Sequence, residues 1–147
     1  MRYLLFLSLF FNAINFSFCP ANPRMVRHYE YSTDSNTVLK NIRKILENEG
    51  YFIREYAPED GFLNTDYKKF NWGKNEYQFS IIAHVTDRIT LSGMGKLDLP
   101  TSGMGKPDEI METQIVEKLP YRLQRRVFSK IEGKFDSLGF QKSNHWP

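Results

Sequence analysis

Cysteine is all but missing from this chain. Cys19 is the single example, so no internal disulfide can brace the fold. Histidine is nearly as scarce: His28, His84 and His145 are spread so widely that no pair has metal-ligand spacing. No G-x-S-x-G elbow occurs, and no serine stands in a recognisable catalytic frame. The charge balance, 20 basic against 17 acidic residues, is too even for a chain that lives on nucleic acid. With these constellations gone, the sequence reads as non-enzymatic, without metal or cofactor.

Nucleotide binding needs a closer look, because SGMGK occurs twice, at 92–96 and 102–106. A phosphate-binding loop requires G-x-x-x-x-G-K-[ST]. The earlier glycine would fall on Thr90 in one copy and on Pro100 in the other. The hydroxyl residue would fall on Leu97 and Pro107. Both copies miss the same two requirements, so neither binds a nucleotide. The stretch 92–106 reads instead as an irregular repeated loop of a kind that surface connections tolerate.

What the chain does have is aromatic and apolar mass. Aromatics make up 15% of its 147 residues, enough to expect one packed domain rather than disorder. Part of the apolar content is segregated. Met1-Arg2 precedes YLLFLSLFFNAINFSF, one positive charge and then an apolar run, which is the form of a secretory signal peptide. The run is shorter than the ~20 apolar residues of a membrane span.

Cys19-Pro20-Ala21 supplies small residues for cleavage, giving a signal peptide over 1–21 and a mature chain from Asn22. Lipidation at Cys19 is the alternative, with Phe18 where lipoprotein signals carry a small residue. Removal of 1–21 takes only Arg2 from the charge count and leaves a net of +2. The expectation is an exported protein, periplasmic or associated with the outer membrane of a Gram-negative bacterium.

Behind a lead-in over 22–33, Asp34-Ser35-Asn36 offers caps for TVLKNIRKILENEG. Val38, Leu39, Ile42, Ile45 and Leu46 fall on one face, and Gly50 ends the helix. The period then changes to two. YFIREYA, FLNTDYKKF, EYQFSIIAHV and RITLSGM read as four antiparallel strands, the turn PEDG joining the first two. In the third, Tyr77, Phe79, Ile81, Ala83 and Val85 point one way; Gln78, Ser80, Ile82 and His84 point the other. Residues 107–119 suit either a short helix or an edge segment.

Past Pro120, Leu123, Val127, Ile131, Phe135 and Leu138 define a second amphipathic helix, and 141–147 is a tail. One apolar face of sheet and two apolar stripes predict a two-layer α+β domain over 34–140, both helices on one face of the meander.

Candidate site residues are few. Glu55 and Asp66 could meet across the first hairpin, where cross-strand neighbours approach to ~5 Å. The basic flank of the last helix is the most suggestive feature: Arg122, Arg125, Arg126, Lys130 and Lys134, with Lys118 ahead of it. Arg122 and Arg126 are one turn apart, as are Lys130 and Lys134. Such a flank is either a solvated helix face or a contact for an anionic lipid surface or an acidic envelope protein. A hydrophobic-ligand pocket between sheet and helices, lined by Phe79, Ile81, Phe128 and Phe135, is a second functional reading; the same residues also suit an ordinary core.

SNTVLKNIRKILENEGYFIREYAPEDGFLNTDYKKF followed by EYQFSIIAHVTDRITLSG resembles a class of small bacterial envelope domains. These are helix-grip, TBP-like α+β domains such as those of a lipoprotein in the β-barrel assembly machinery. The shared features are Gly50 after the helix and the Gly61…Thr65-Asp66-Tyr67 run. The resemblance implies a helix leading into an antiparallel sheet, a second helix closing over it, and a binding or assembly role with no catalytic residue.

Intact mass of the protein recovered from membrane and soluble fractions checks the processing. A soluble chain starting at Asn22 is expected; a diacylated Cys19 terminus in the membrane fraction would establish the lipoprotein alternative.

Overall fold

The computed structural model describes residues 25–100, 111–116 and 119–143. Its elements, in order, are β1 (Val26–Glu30), α1 (Ser35–Asn48), β2 (Ile53–Ala57), a 3₁₀ turn (Pro58–Asp60), β3 (Phe62–Thr65), β4 (Lys68–Trp72), β5 (Asn75–Val85), β6 (Ile89–Pro100), β7 (Met111–Val116), α2 (Tyr121–Ser137) and β8 (Gln141–Ser143). The eight strands form one antiparallel sheet, so the α+β class expected from the sequence is the one observed.

The spine of that sheet is the β5–β6 hairpin, paired from Val85↔Ile89 out to Glu76↔Asp98. At the hairpin's turn end the order is β2-β3-β5-β6-β1-β8. At its far end β4 replaces β3 beside β5, and β7 replaces β1 beside β6. The inward face read in β5 holds: Tyr77, Phe79, Ile81, Ala83 and Val85 are all buried; on the other face His84 is exposed, Gln78 and Ile82 are half-buried, and Ser80 is buried as well. Directly opposed residues share a face, so Ile89, Leu91 and Tyr29 join the same apolar layer.

Both helices cover this layer. Asp34 is the cap that α1 uses, accepting the Thr37 amide at 3.0 Å. The five apolar residues expected to face inward are the five that are buried. At its end the amides of Gly50 and Tyr51 donate to the carbonyls of Glu47 and Leu46, both at 2.9 Å. This pair of bonds needs a left-handed residue, which Gly50 supplies at φ 77.

The second helix closes the same way, Gly139 and Phe140 donating to Asp136 and Phe135. Phe140, not Leu138, completes its apolar stripe. The helix stops at Ser137, leaving Leu138 at the cap and exposed while Phe140 folds back 5.3 Å from the Phe135 ring.

The sheet is wider than the four-stranded meander expected, for identifiable reasons. Residues 26–30, read as lead-in, form a strand between β6 and the edge strand β8, its alternation masked by Arg27 and His28 facing opposite sides. FLNTDYKKF is two strands. Past Thr65 the Asp66 amide leaves β5 for the Phe52 carbonyl at 2.8 Å, and pairing with β5 resumes at Lys68↔Phe79. Within 107–119, residues 111–116 take the extended alternative as β7. Residues 141–143, read as tail, pair with β1 as β8.

The repeated stretch also differs from the loop expected. Residues 92–100 continue β6, because ladder partners exist on both its sides. Positions 101–106 lie outside the described residues, as do the signal segment with Cys19, Lys118 and His145.

Glycine in the first SGMGK copy has a packing function here. A Cβ on Gly93 would lie 2.3 Å from the Phe79 ring tip and 3.3 Å from that of Phe128. Those two rings meet edge to face, centroids 5.7 Å apart. Gly93→Ala is therefore expected to destabilise by about 1–3 kcal/mol through overpacking. Phe79→Leu in the same chain should recover part of that loss, a non-additivity that urea unfolding of the two single mutants and the double mutant measures.

Candidate binding surface

The orientation of α2 is fixed from beneath. Leu123, Val127, Phe128, Ile131 and Phe135 are buried, so Arg122, Arg125, Arg126, Lys130 and Lys134 all face solvent. Arg122, Arg126, Lys130 and Lys134 follow one another at four-residue intervals, a row about 18 Å long at 1.5 Å rise per residue. Arg125 stands on the neighbouring row with Ser129. Of these five cations, Lys130 pairs with Glu49 at a loose 3.9 Å; the other four have no carboxylate within salt-bridge distance among the described residues.

The two flanks of α2 differ. On the side of β1 and β8, Glu132 Oε1 accepts from Arg27 Nε at 3.2 Å and from Lys142 Nζ at 2.9 Å, with the Tyr29 hydroxyl 3.5 Å away. The Arg27 guanidinium also lies 4.6 Å from the Phe128 ring centroid. Arg27 pairs with Leu91 in the ladder, so its side chain rises into the helix-covered layer rather than into water. This cluster is an internally satisfied clamp holding α2 to the sheet. Burial pushes the Tyr29 phenol up strongly, and the Glu132 charge adds to it, so Tyr29 is a neutral donor at any ordinary pH.

On the side of α1 the surface opens into a pocket of about 60 Å³. Its walls are Glu49 and Tyr51 from the end of α1, Lys68 and Phe70 from β4, and Arg126, Val127 and Lys130 from α2. The two hydrogen bonds that terminate α1 set Tyr51 in place. Lys68 reaches this spot because its pairing with Phe79 turns it toward the helices. There Lys68 Nζ donates to the Glu49 carbonyl and sits 5.0 and 5.5 Å from the ring centroids of Tyr51 and Phe70. A cation at the carbonyl end of α1 is also favoured by the helix dipole. The Tyr51 hydroxyl is buried without a hydrogen-bond partner, and burial, then the Glu49 charge, pushes its pKa up.

The basic flank foreseen in the sequence is thus brought together with Lys68. Nothing in the local sequence marked Lys68, Tyr51 or Arg27 as part of a site. Each looks like an ordinary strand or loop residue until β5 turns Lys68, β6 turns Arg27 and the close of α1 turns Tyr51 toward the site.

Other candidates separate. Glu55 opposes Asn64 rather than Asp66, because the β2–β3 ladder is irregular between Ile53 and Glu55 and Thr65 pairs with Ile53. His28 Nδ1 lies 3.1 Å from Thr90 Oγ1 on the open face, where His84 faces Phe62. Phe79, Ile81, Phe128 and Phe135 are packed solid, none more than 1% exposed. Among the described residues no group of three or more His, Cys, Asp or Glu could hold a metal ion, and no helix is long and apolar enough to cross a membrane.

No protein-family model matches the chain, and no curated protein matches it either.

The clamp has a pH signature. Burial works to raise the Glu132 pKa, but hydrogen bonds and charge from Lys142 and Arg27 outweigh it, and the carboxyl titrates below its usual value of 4.5. A depressed folded-state pKa stabilises above the unfolded value and is lost as pH falls through the folded one. Glu132→Gln should therefore lower the melting temperature at pH 7 and show a smaller further loss below pH ~4.5 than the unaltered chain. Equal acid sensitivity in both would remove Glu132 from the account.

Proposed function

We propose that this chain is an exported, non-catalytic binding module of the bacterial envelope that docks on an anionic membrane surface through the exposed face of α2. The observation that carries the reading is the row Arg122, Arg126, Lys130 and Lys134, with Arg125 beside it, in which Lys130 alone has a carboxylate partner among the described residues, the loose Glu49 contact, on a helix whose apolar stripe is buried in the core. Tyr121 is the one large apolar side chain that the helix leaves exposed, too little to form an inserting stripe, so the attraction of this face to a bilayer is chiefly electrostatic. Each basic residue near an anionic leaflet contributes about 1 kcal/mol, fading over a Debye length.

The apolar segment over 3–18 supports an envelope location, and the resemblance to helix-grip envelope domains supports binding rather than turnover. An acidic protein is the competing partner, and the vesicle assay below separates the two.

Sedimentation with vesicles of phosphatidylcholine and phosphatidylglycerol, compared with phosphatidylcholine alone, tests the proposal. Binding should require the anionic lipid and weaken with salt. Changing Arg122, Arg125 and Arg126 together to Gln should cost about 3 kcal/mol, roughly a hundredfold in affinity. Equal binding by the altered and unaltered chains, or none by either, contradicts it.

A further inference from the structure

We propose that the pocket between the end of α1, β4 and α2 is a subsite for a single phosphate monoester, set into the middle of the basic row. This rests on the reading of α2 as the membrane-facing surface and specifies the group that surface would recognise. Size comes first. A volume of about 60 Å³ takes four to six water-sized groups at roughly 10–15 Å³ each, the scale of one phosphate with its oxygens.

Charge comes second. Lys68, Arg126 and Lys130 line the pocket together with the single carboxylate of Glu49, an excess of two positive charges that suits a dianion better than a carboxylate or a phosphodiester. Lys68 is already fixed by the Glu49 carbonyl and the two rings, so part of the ordering is complete before a ligand arrives. Arg126 brings a planar fork matched to two phosphate oxygens.

Incomplete satisfaction comes third. Lys130 has only the 3.9 Å contact to Glu49, and Arg126 has no carboxylate partner among the described residues. An oxyanion here supplies acceptors to both and takes over Lys130 from Glu49. The competing carboxylate makes the site weak by itself. That suits a headgroup anchor whose affinity is shared with the rest of the row.

The test uses the purified chain. Inorganic phosphate is titrated at constant ionic strength, with chloride as the balancing anion, and followed by the amide NMR shifts of Tyr51, Lys68 and Arg126. Saturable shifts with phosphate and none with chloride are expected. Arg126→Gln and Lys130→Gln should each weaken the binding about tenfold, the worth of one charge-assisted hydrogen bond. Lys40→Gln, exposed on α1 and part of neither the basic row nor the pocket lining, should leave it unchanged. Glu49→Gln should tighten it, a gain that misfolding cannot imitate.

Vesicles carrying phosphatidic acid or phosphatidylglycerol at matched zeta potential then identify the source. Tighter binding to phosphatidic acid, abolished by Lys130→Gln, shows a lipid phosphate monoester. Phosphate binding with no preference between the vesicles shows free phosphate as the ligand. Absence of phosphate-specific shifts, or no gain from Glu49→Gln, overturns the subsite even if binding to phosphatidylglycerol persists. Loss of vesicle binding with phosphate binding intact overturns only the role of α2.

Discussion

The packing of Phe128 on Phe79, over a position where β6 carries only a hydrogen, decides how α2 lies. Gly93 leaves the room, Phe79 occupies it, and the edge of Phe128 meets the Phe79 ring. A second edge-on contact, Tyr29 with Phe135 at 4.8 Å, holds the C-terminal end of the helix. With its middle and its C-terminal end fixed, α2 cannot roll, and its polar residues divide into two flanks with different fates. Toward β1 and β8, Glu132 is saturated with donors. Toward α1, the cations outnumber the carboxylates and a pocket is left between them. The chemistry of the surface is therefore a consequence of aromatic packing one layer below it.

A second consequence concerns β4. By leaving β3 at Asp66 and rejoining β5 two residues later, the chain places Lys68 in register with Phe79. Lys68 thereby becomes a half-buried cation at the pocket, tied to the carbonyl end of α1, instead of one more lysine on a wet strand. It links α1, Tyr51 and β4 through a charge that the helix dipole stabilises. The same placement concentrates positive potential at the gap that Arg126 and Lys130 overhang.

How much of this was legible in the sequence depends on what each residue's signal was. Both helices could be read because Val38, Leu39, Ile42, Ile45 and Leu46, and likewise Leu123, Val127, Ile131 and Phe135, repeat at the helical period. The facing of β5 could be read from the apolar residues at every second position between Tyr77 and Val85, which Ile82 interrupts on the other face. The extra strands could not. Those over 26–30 and 141–143 are too short and too polar to show alternation, and they exist because β6 and β1 each have an open edge to pair with. The run 92–100 contains two glycines and a proline, which locally favour a loop; pairing with β5 and β7 overrides that preference. The basic row was visible as spacing, but the pocket was not, because Tyr51, Lys68 and Arg126 are brought together only by the sheet register and the close of α1.

The central claim is that the outward face of α2, not the open face of the sheet, is the docking surface. Paramagnetic relaxation from a spin label on the headgroups of anionic vesicles tests this most directly. The account predicts the strongest broadening at Arg122, Arg126, Lys130 and Lys134, with Ile82, His84 and Thr90 on the opposite side of the sheet little affected. Broadening centred on Ile82, His84 and Thr90 would contradict it.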